Sequence, residues 1–309
     1  MNSPASDPPR RARVRVPATS ANLGPGFDCL GLALDLWDEA DFTLAGEGLH
    51  LRCAGETQAI PTDERNMVVQ AMRFFCDARG LPFPRGVQID CRNAIPPGSG
   101  LGSSAAATLL GLLGAAALLD APLDPGEALT LAARMEGHAD NASAALLGGL
   151  VIVAAGQGGA WLARRIEIPE RRVAVVLPEV TLPTHAARAA LPAEIALRDV
   201  TYTLGRAMLV VEALRDGDLD LLAQAMDDRL HLPYRLPLIP GGQPALEAAR
   251  QAGASAATLS GAGPSLIAFT GGDPAPVAEA MRAAFARAGI AARAFLLKTT
   301  PAGATVTVD

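Results

Sequence analysis

A glycine-rich loop runs directly into an apolar helix at Pro96-Pro97-Gly98-Ser99-Gly100-Leu101-Gly102-Ser103-Ser104-Ala105-Ala106. Three glycines lie within five residues, two serines follow, and the Ala-rich run after them is apolar enough for a buried helix. Glycines let a backbone approach an anion closely, and the N–H groups and dipole of a helix N-terminus attract negative charge. The pattern therefore predicts a phosphate-binding loop, and a plain connection before a core helix is the alternative.

This loop differs from two common phosphate-binding motifs. A Walker P-loop has a lysine directly after its last glycine, whereas Lys298 is the only lysine in this chain. The glycine spacing also differs from that of a dinucleotide-binding turn. The sequence therefore indicates a phosphate site of another type.

Composition narrows the classes of protein to consider. The chain has 309 residues, half of them hydrophobic, which is enough for one large domain or two packed ones. Its net charge of −6 argues against nucleic acid or an anionic membrane as a partner. The apolar run 105–119 is short for a membrane span and rich in Ala and Gly, so we expect a core helix there.

Cysteine usage and the first residues indicate a cytosolic location. The four cysteines form no C-x-x-C pair and no metal-binding spacing with a histidine, so we expect reduced thiols. Residues 1–9 are polar and Pro-rich, which is not the pattern of a signal peptide. These cysteines are Cys29, Cys53, Cys76 and Cys91.

The hydrophobic pattern alternates between strands and helices along the chain. Asp124-Pro125-Gly126-Glu127 predicts a helix start with Asp124 as cap and Glu127 reaching back, and that helix should end near Gly137. Glycines at 156–159 separate two strand-like runs, so we expect two domains, 1–156 and 157–309. Strands are predicted at 12–17, 30–44 (one or two), 86–91, 149–155, 173–177, 256–259, 265–270 and 291–297, and helices at 63–79, 194–229 with a break near 216, 244–251 and 274–288.

Three further segments carry polar groups among small or buried residues. In the first, Pro17–Asp28, we expect a strand to end and a loop to run from 18 to 28. Its Asn and Asp residues are also common in ordinary turns. Glu136-Gly137-His138-Ala139-Asp140-Asn141 suits a bound cation, and a polar turn at a helix end is the alternative. Leu259–Ser265 alone reads as a tight hairpin.

Taken together, these segments resemble the GHMP kinase superfamily, and within it the homoserine kinases. The resemblance covers nearly the whole chain. Pro17–Asp28 is similar to the N-terminal signature of homoserine kinases, and the acidic segment is similar to theirs except for Ala139, where a proline is usual. His231-Leu232-Pro233-Tyr234-Arg235 and Leu238-Ile239-Pro240-Gly241 also resemble homoserine kinases and not the sugar kinases.

The resemblance implies a fold and a reaction. The fold would be α/β, an α+β two-domain arrangement with a ribosomal-protein-S5-like N-terminal domain and a ferredoxin-like C-terminal domain. The reaction would transfer a phosphoryl group from ATP to the side-chain hydroxyl of L-homoserine, giving O-phospho-L-homoserine for threonine synthesis. We expect ATP and Mg²⁺ as cofactors and a cytoplasmic enzyme without a nucleic-acid or membrane partner. Whether the enzyme forms a homodimer is left open.

The resemblance also implies roles for individual residues. Asp140 is the candidate base and Asn141 would orient the hydroxyl, although in homoserine kinases the proton also has a route through phosphate or solvent. Ser104 and Glu136 would hold Mg²⁺. The nucleotide would contact Asn66, Pro96, Pro97, Gly98, Ser99, Gly100, Leu101, Gly102, Ser103 and Ser104, and homoserine would contact Asn22, Asp28, His138, Asn141, Arg188, Arg235 and Gly261.

Two other functions stay open from the sequence. One is a different small-molecule kinase of this superfamily, acting on threonine, mevalonate or a diphosphocytidyl-methylerythritol; a substrate without an amino group would not need Asp28 together with Asn22. The other is an inactive ligand-binding relative. The presence of Ser104, Glu136 and the intact glycines argues against it.

Overall fold

The computed structural model describes residues 10–44, 46–57 and 60–309, which form two β-sheets covered by helices. The strands are β1 Arg11–Ala21, β2 Leu30–Leu44, β3 Gly48–Gly55, β4 Gly86–Asn93, β5 Leu150–Ala155, β6 Trp161–Ile166, β7 Arg172–Pro178, β8 Ala256–Leu259, β9 Leu266–Phe269, β10 Ala292–Lys298 and β11 Thr305–Val308. The helices are α1 Met67–Arg79, α2 Ser103–Leu118, α3 Pro125–Glu136, α4 Asp140–Leu147, α5 Thr184–Ala189, α6 Leu197–Asp216, α7 Leu219–Ala225, α8 Leu232–Arg235, α9 Gly242–Gln251 and α10 Ala275–Arg287.

The larger sheet has seven strands in the order β11-β1-β2-β4-β3, with β5 paired to β2 and β6 paired to β5. Its β3–β4 pair is parallel and its other pairs are antiparallel. Helices α2 and α4 pack on β1 and β2 and bury their apolar residues there. The N-terminus of α2 is thereby held at the edge of a rigid core.

The smaller sheet has the order β10-β7-β9-β8 and is antiparallel throughout. Helices α5–α9 connect β7 to β8, and α10 connects β9 to β10. This is the β-α-β-β-α-β arrangement of ferredoxin-like domains. The predicted two-domain fold class is confirmed.

The two sheets divide the chain at a different place from the domain boundary predicted between residues 156 and 157. That boundary falls inside a hairpin, because β5 and β6 pair from Leu150↔Ile166 to Ala155↔Trp161. Strand β11 also returns to the larger sheet, where it pairs with β1. The sheet topology places the division in residues 167–171, and the last strand belongs with the first domain.

Two helix starts follow from local sequence. Asn66 caps α1 by accepting a hydrogen bond from Val68 N, and Asp124 caps α3 by accepting one from Glu127 N. Helix α3 ends at Gly137, as predicted, and the structure shows this glycine in the left-handed conformation. The Glu127 side chain does not reach back to the cap; it accepts a hydrogen bond from Arg79 instead, at 2.6 Å.

Several predicted element ends were wrong. Strand β1 continues to Ala21, because residues 18–21 pair with residues 31–34 of β2. The loop predicted at 18–28 therefore begins four residues later, at Asn22. The acidic segment is a polar turn only as far as Ala139, because helix α4 starts at Asp140. The run 105–119 lies in the core helix α2, and no helix within the described residues is long and apolar enough to cross a membrane.

Candidate active site

Backbone hydrogen bonds join three segments that are far apart in sequence: the end of β1, the glycine-rich loop and the turn between β8 and β9. Thr19 N donates to Leu101 O at 3.0 Å, which connects β1 to the glycine-rich loop. Ser265 N donates to Ser99 O at 3.1 Å, which connects that loop to the turn between β8 and β9. The Leu259–Ser265 turn is thus a connection between paired strands that also supports the glycine-rich loop.

Gly100 shows why this loop needs a glycine. Its φ is +79°, and a Cβ built on it would lie 2.5 Å from Ser260 O and 2.7 Å from Gly263 O. The Ser260 hydroxyl donates to Gly100 O at 2.8 Å. At this position the glycine permits close contact with another loop, whereas at Gly98 (φ +65°) no atom lies within 4 Å of a built Cβ.

The loops enclose a cavity of about 340 Å³ at the start of α2. Gly102 precedes α2 with φ +72°, and the first N–H groups of the helix have no partner within the helix. The cavity brings together these predicted site residues: Asn22, Asp28, Gly98, Ser99, Gly100, Gly102, Ser103, Ser104, Glu136, His138, Asp140, Asn141, Arg188, Arg235 and Gly261.

Four predicted nucleotide contacts do not line this cavity. Asn66 is buried and caps α1, and its Nδ2 donates to Pro61 O at 2.8 Å. Leu101 is fully buried in the core, Pro96 is buried and Pro97 is exposed. Asn66 and Leu101 have structural roles in the protein, and contact of any of the four residues with a nucleotide stays a prediction.

Glu136 lies at the end of α3 beside the first turn of α2. Its Oε1 accepts hydrogen bonds from Ser104 Oγ and from Thr108 Oγ1, both at 2.8 Å. Ser104 and Thr108 are four residues apart, so they lie on one face of α2. The result is a compact set of hard oxygen donors at the mouth of the helix N-terminus.

Asp140 stands at the start of α4, with 3% of its surface exposed. Its Oδ1 accepts hydrogen bonds from His138 Nδ1 at 2.7 Å and from Asn141 N at 2.8 Å. The hydrogen bond to Asp140 raises the pKa of His138 above its ordinary value, although burial acts in the opposite direction. Asn141 Oδ1 accepts a hydrogen bond from the buried Thr19 hydroxyl at 2.8 Å, which fixes the orientation of the amide.

Asn22 and Asp28 both adopt the left-handed backbone conformation, with φ of 69° and 55°. Asn22 Oδ1 accepts from Asp28 N at 2.9 Å, and Asn22 Nδ2 donates to Gly261 O at 2.7 Å. Such backbone conformations are unfavourable for residues other than glycine and cluster at functional sites. Here they turn the Asp28 carboxylate into the cavity.

Two arginines from the second domain face Asp28. Arg188 of α5 donates to both carboxylate oxygens of Asp28, each at 3.0 Å. Arg235 of α8 is only 2% exposed, and burial lowers its pKa. Its Nε donates to Ala187 O at 3.2 Å. The guanidinium of Arg235 is therefore held by the carbonyl of Ala187, the residue that precedes Arg188 in α5.

An aromatic cluster supports these arginines. The guanidinium carbons of Arg188 and Arg235 lie 5.7 and 5.0 Å from the centre of the Phe27 ring. Phe27 also stacks on the buried His231 at 5.3 Å. His231 Nε2 donates to Gly24 O at 2.8 Å, and burial lowers the pKa of His231. This cluster joins the N-terminal loop to α8.

A buried carboxylate binds the backbone just before the glycine-rich loop. Asp38 Oδ1 accepts hydrogen bonds from Ala94 N at 2.7 Å and Ile95 N at 2.9 Å. Burial raises the pKa of Asp38 to about 6, although these two N–H groups act in the opposite direction. Asp38 therefore fixes the backbone immediately before Pro96.

Sequence reasoning missed four residues of this site: Thr19, Phe27, Thr108 and His231. Thr19 and Phe27 lie inside the quoted N-terminal segment, and His231 lies inside the quoted segment around Arg235. Thr108 could have been found from the sequence, because it lies one helical turn after Ser104 and therefore on the same face of the helix.

Comparison with known families agrees with this geometry. Residues 66–149 match the model of the GHMP kinases N terminal domain, and residues 210–287 match that of the GHMP kinases C terminal domain. The first match contains the glycine-rich loop and Glu136, and the second contains His231 and Arg235.

Individual relatives make the class more specific. A homoserine kinase of Moorella thermoacetica is 46% identical over 279 residues, 90% of this chain and 93% of the relative. One of Prochlorococcus marinus is 41% identical over 305 residues, 94% of this chain and 93% of the relative. The chain belongs to the GHMP kinase family and, within it, to the homoserine kinases.

Solved structures show the same fold. A crystal structure of homoserine kinase from Cytophaga hutchinsonii has a TM-score of 0.84 at 29% identity and covers 99% of each chain. The L. major mevalonate kinase structure, in complex with R-mevalonate, has a TM-score of 0.71 at 18% identity, with 94% of this chain and 96% of that one covered. The second likeness concerns the fold alone.

Proposed function

We propose that this enzyme uses ATP to phosphorylate the side-chain hydroxyl of L-homoserine. One observation carries the proposal beyond family membership: a single cavity holds a helix N-terminus with a glycine-rich loop on one side and the Asp28–Arg188–Arg235 group on the other. The first side suits the phosphates of a nucleotide. The second suits a small zwitterion, because it presents one anion and two cations.

The glycine-rich loop would hold the triphosphate of ATP. Gly98 offers unobstructed backbone, and the first turn of α2 from Ser103 supplies N–H groups and the positive end of the helix dipole. Phosphoryl transfer depends on positioning and charge stabilisation more than on covalent chemistry. A rigid anion site of this kind meets that need.

Mg²⁺ fits the donors present beside the loop. Ser104 Oγ and Glu136 Oε1 are 2.8 Å apart and are the hard oxygen ligands that Mg²⁺ prefers. No cluster of three or more His, Cys, Asp or Glu able to hold a metal occurs in the part of the chain that the structure describes. A site with one carboxylate is typical of Mg²⁺ shared with phosphates. When bound, the ion would neutralise charge on the transferring phosphoryl group.

Homoserine would bind at the other end of the cavity. Asp28, oriented by Asn22, would accept hydrogen bonds from the substrate ammonium. Arg188 and Arg235 would bind the carboxylate, for which a guanidinium fork is well suited. The substrate hydroxyl would then point toward Asn141 and Asp140, which line the same cavity.

Asp140 would take the hydroxyl proton, with His138 and Asn141 N holding its Oδ1 in place. The His138 hydrogen bond would keep the carboxylate oriented while the proton moves. Transfer of the proton late, to phosphate or solvent, would instead leave Asp140 an orienting group. Replacement of Asp140 by Asn distinguishes these roles by the size of the loss in kcat.

The proposal includes a cytoplasmic location, which the four free thiols favour. A homodimer stays a prediction.

ADP release in the presence of Mg·ATP tests the proposal. The acceptors are homoserine, threonine, mevalonate and galactose, each at the same concentration. We expect turnover with homoserine far above that with the other three. Preference for another acceptor would reassign the substrate, and ATP binding without ADP release from any acceptor would indicate a binding protein.

A further inference from the structure

Two cysteines face each other at the edge of the larger sheet. Cys53 of β3 lies directly opposite Cys91 of β4 in a parallel pair, so both side chains point to the same face of the sheet. That face is the inner one, because Cys91 is buried and Cys53 is half-buried against the same core. The remaining cysteines, Cys29 and Cys76, lie before β2 and in α1.

The spacing of the strands allows these two sulfurs to bond. Neighbouring strands lie about 4.8 Å apart, and disulfides join cysteines whose Cα atoms are roughly 4.4–6.8 Å apart. Strand β3 ends the sheet order next to β4, so it can shift slightly as the bond forms.

The two thiols differ in access and in acidity. Hydrogen bonding with Cys91 lowers the pKa of Cys53 to about 7, although burial acts in the opposite direction. The same hydrogen bond, together with burial, raises the pKa of Cys91. Cys53 is also the more accessible of the two. A thiol that is partly ionised near neutral pH is well suited to attack an oxidant.

Cys53 also contacts the start of α1, beside the candidate active site. Asn66 Nδ2 donates to Cys53 Sγ at 3.9 Å, while Oδ1 of the same amide caps α1 at Val68 N. Met67, the first residue of α1, lines the cavity. One side chain therefore connects Cys53 to the wall of that cavity.

We propose that Cys53 and Cys91 form a redox site, which a hydroperoxide oxidises to a disulfide and a dithiol reductant restores. The Cys53 thiolate attacks one oxygen of hydrogen peroxide, and the O–O bond breaks to give a sulfenic acid and hydroxide. The sulfur of Cys91 then attacks Cys53 Sγ, and the S–O bond breaks as the oxygen leaves as water with the Cys91 proton. Together the two sulfurs lose two electrons, which the peroxide accepts.

The disulfide weakens nucleotide binding. It draws Cys53 Sγ toward Cys91 and away from Asn66, so the cap of α1 and the adjacent Met67 shift. This consequence rests on the proposed ATP site, whereas the disulfide itself does not.

Peptide mapping of the full-length protein tests the disulfide. After hydrogen peroxide at neutral pH, the non-reduced digest should contain peptides joined through Cys53 and Cys91, and dithiothreitol should separate them. Cys29→Ser is the matched control, because Cys29 is exposed; it should give the same joined peptides. No joined peptides, or a bond from either cysteine to Cys29 or Cys76, would overturn the proposal.

Two variants in the Cys29→Ser background separate the attacking thiol from the resolving one. Cys91→Ala should leave Cys53 as a sulfenic acid that dimedone traps, and Cys91→Ser serves the same purpose if the first variant folds poorly. Cys53→Ser should slow thiol oxidation at least about tenfold, because the accessible thiolate is lost. Oxidation of Cys91 at the wild-type rate in Cys53→Ser would overturn the order of attack.

Calorimetry of ATP with the reduced and oxidised protein tests the consequence. Oxidation should lower the affinity about five- to a hundredfold, a typical coupling between two sites. Peroxide should leave the affinity of Cys53→Ser unchanged. A disulfide form that binds ATP as tightly as the reduced form would overturn the link to α1. Absence of ATP binding by the reduced protein would contradict the proposed function instead, and the mapped disulfide would stand.

Discussion

Arg188 donates a hydrogen bond to each carboxylate oxygen of Asp28, both at 3.0 Å, across the cavity between the two domains. The two side chains keep 46% and 34% of their surface exposed. A pair this accessible costs little to separate. In the proposed complex an amino acid would enter between them and give each charge a new partner, its ammonium for Asp28 and its carboxylate for Arg188.

The first prediction concerns the substrate amino group. We expect 4-hydroxybutyrate, which keeps the hydroxyl and carboxylate of homoserine, to be a poor substrate. Binding it would leave Asp28 without a cation, a loss of about 1–3 kcal/mol. That corresponds to a decrease of roughly five- to a hundred-and-fifty-fold in kcat/KM. Steady-state ADP release with both acceptors measures the ratio.

Asp28→Asn provides the matching variant. It should narrow the gap between the two acceptors, mainly by lowering kcat/KM for homoserine. Equal use of both compounds by the wild-type enzyme would contradict a role for Asp28 in binding the ammonium.

The second prediction is that Glu136→Gln retains ATP binding but loses most turnover. A carboxylate at a metal site contributes on the order of several kcal/mol of charge stabilisation in the transition state. Nucleotide affinity by calorimetry and kcat at saturating Mg²⁺ measure the two effects separately. Glu127→Gln, on the same helix, is the control, because Glu127 binds Arg79 and does not line the cavity. Near-normal kcat in Glu136→Gln would remove Glu136 from the proposed metal site.

The third prediction separates two glycines of the same loop. Gly100→Val should lower thermal stability and abolish nucleotide binding together, because its side chain would collide with Ser260 and Gly263. Gly98→Ala should cost only about 1 kcal/mol of stability, since its Cβ meets open space, and should weaken ATP binding. Melting temperature and ATP affinity are measured for both. Unchanged ATP affinity in both variants would mean that the loop is only a connection.

The fourth prediction concerns the buried Arg235. Arg235→Lys should raise KM for homoserine about ten- to a hundredfold and leave KM for ATP nearly unchanged, because lysine loses the two-pronged hydrogen bonding. Arg206→Lys is the control for a general effect of the exchange, since Arg206 lies on α6, outside the cavity. An increase confined to KM for ATP would place Arg235 on the nucleotide side.

The fifth prediction follows from the raised pKa of Asp38, about 6. The folded protein takes up this proton more readily than the unfolded chain, so the contribution of Asp38 to stability should fall as pH rises from about 4 to 6. Asp38→Asn should remove that slope from the free energy of unfolding measured against pH. Asp273→Asn is the control, because exposed Asp273 also accepts a backbone hydrogen bond. A slope that is identical in wild type and Asp38→Asn would contradict the prediction.

Local sequence was sufficient for elements that local chemistry determines. The cap at Asp124, the end of α3 at Gly137 and the break near residue 216 were all predicted, since each depends on residues within one turn. Strands β3, β6 and β11 were not predicted. Strand β3 does alternate, with Leu49, Leu51 and Cys53 half-buried between exposed residues, so its signal was present and missed, whereas β6 and β11 are mostly or wholly exposed and show no such alternation in burial.

The candidate site also contains residues that local sequence predicts and contacts that it does not predict. Gly98, Ser104 and Glu136 belong to segments with a strong local pattern, and the structure brings them together. The packing of Ser260 on Gly100 could not be predicted, because it depends on how the two domains meet. The stacking of Phe27 on His231 has the same origin, as these residues are about 200 positions apart.

The pairing of β11 with β1 has a consequence for how the protein folds. Ala12 lies opposite Val308, so β1 pairs with a strand that is synthesised much later than itself. Contacts between residues so distant in sequence slow folding, and an unpaired strand edge attracts other chains. During translation β1 can pair with β2 early, but its other edge stays open until β11 has been made. Aggregation at this stage would depend on the rate of synthesis and on chaperones that cover the open edge.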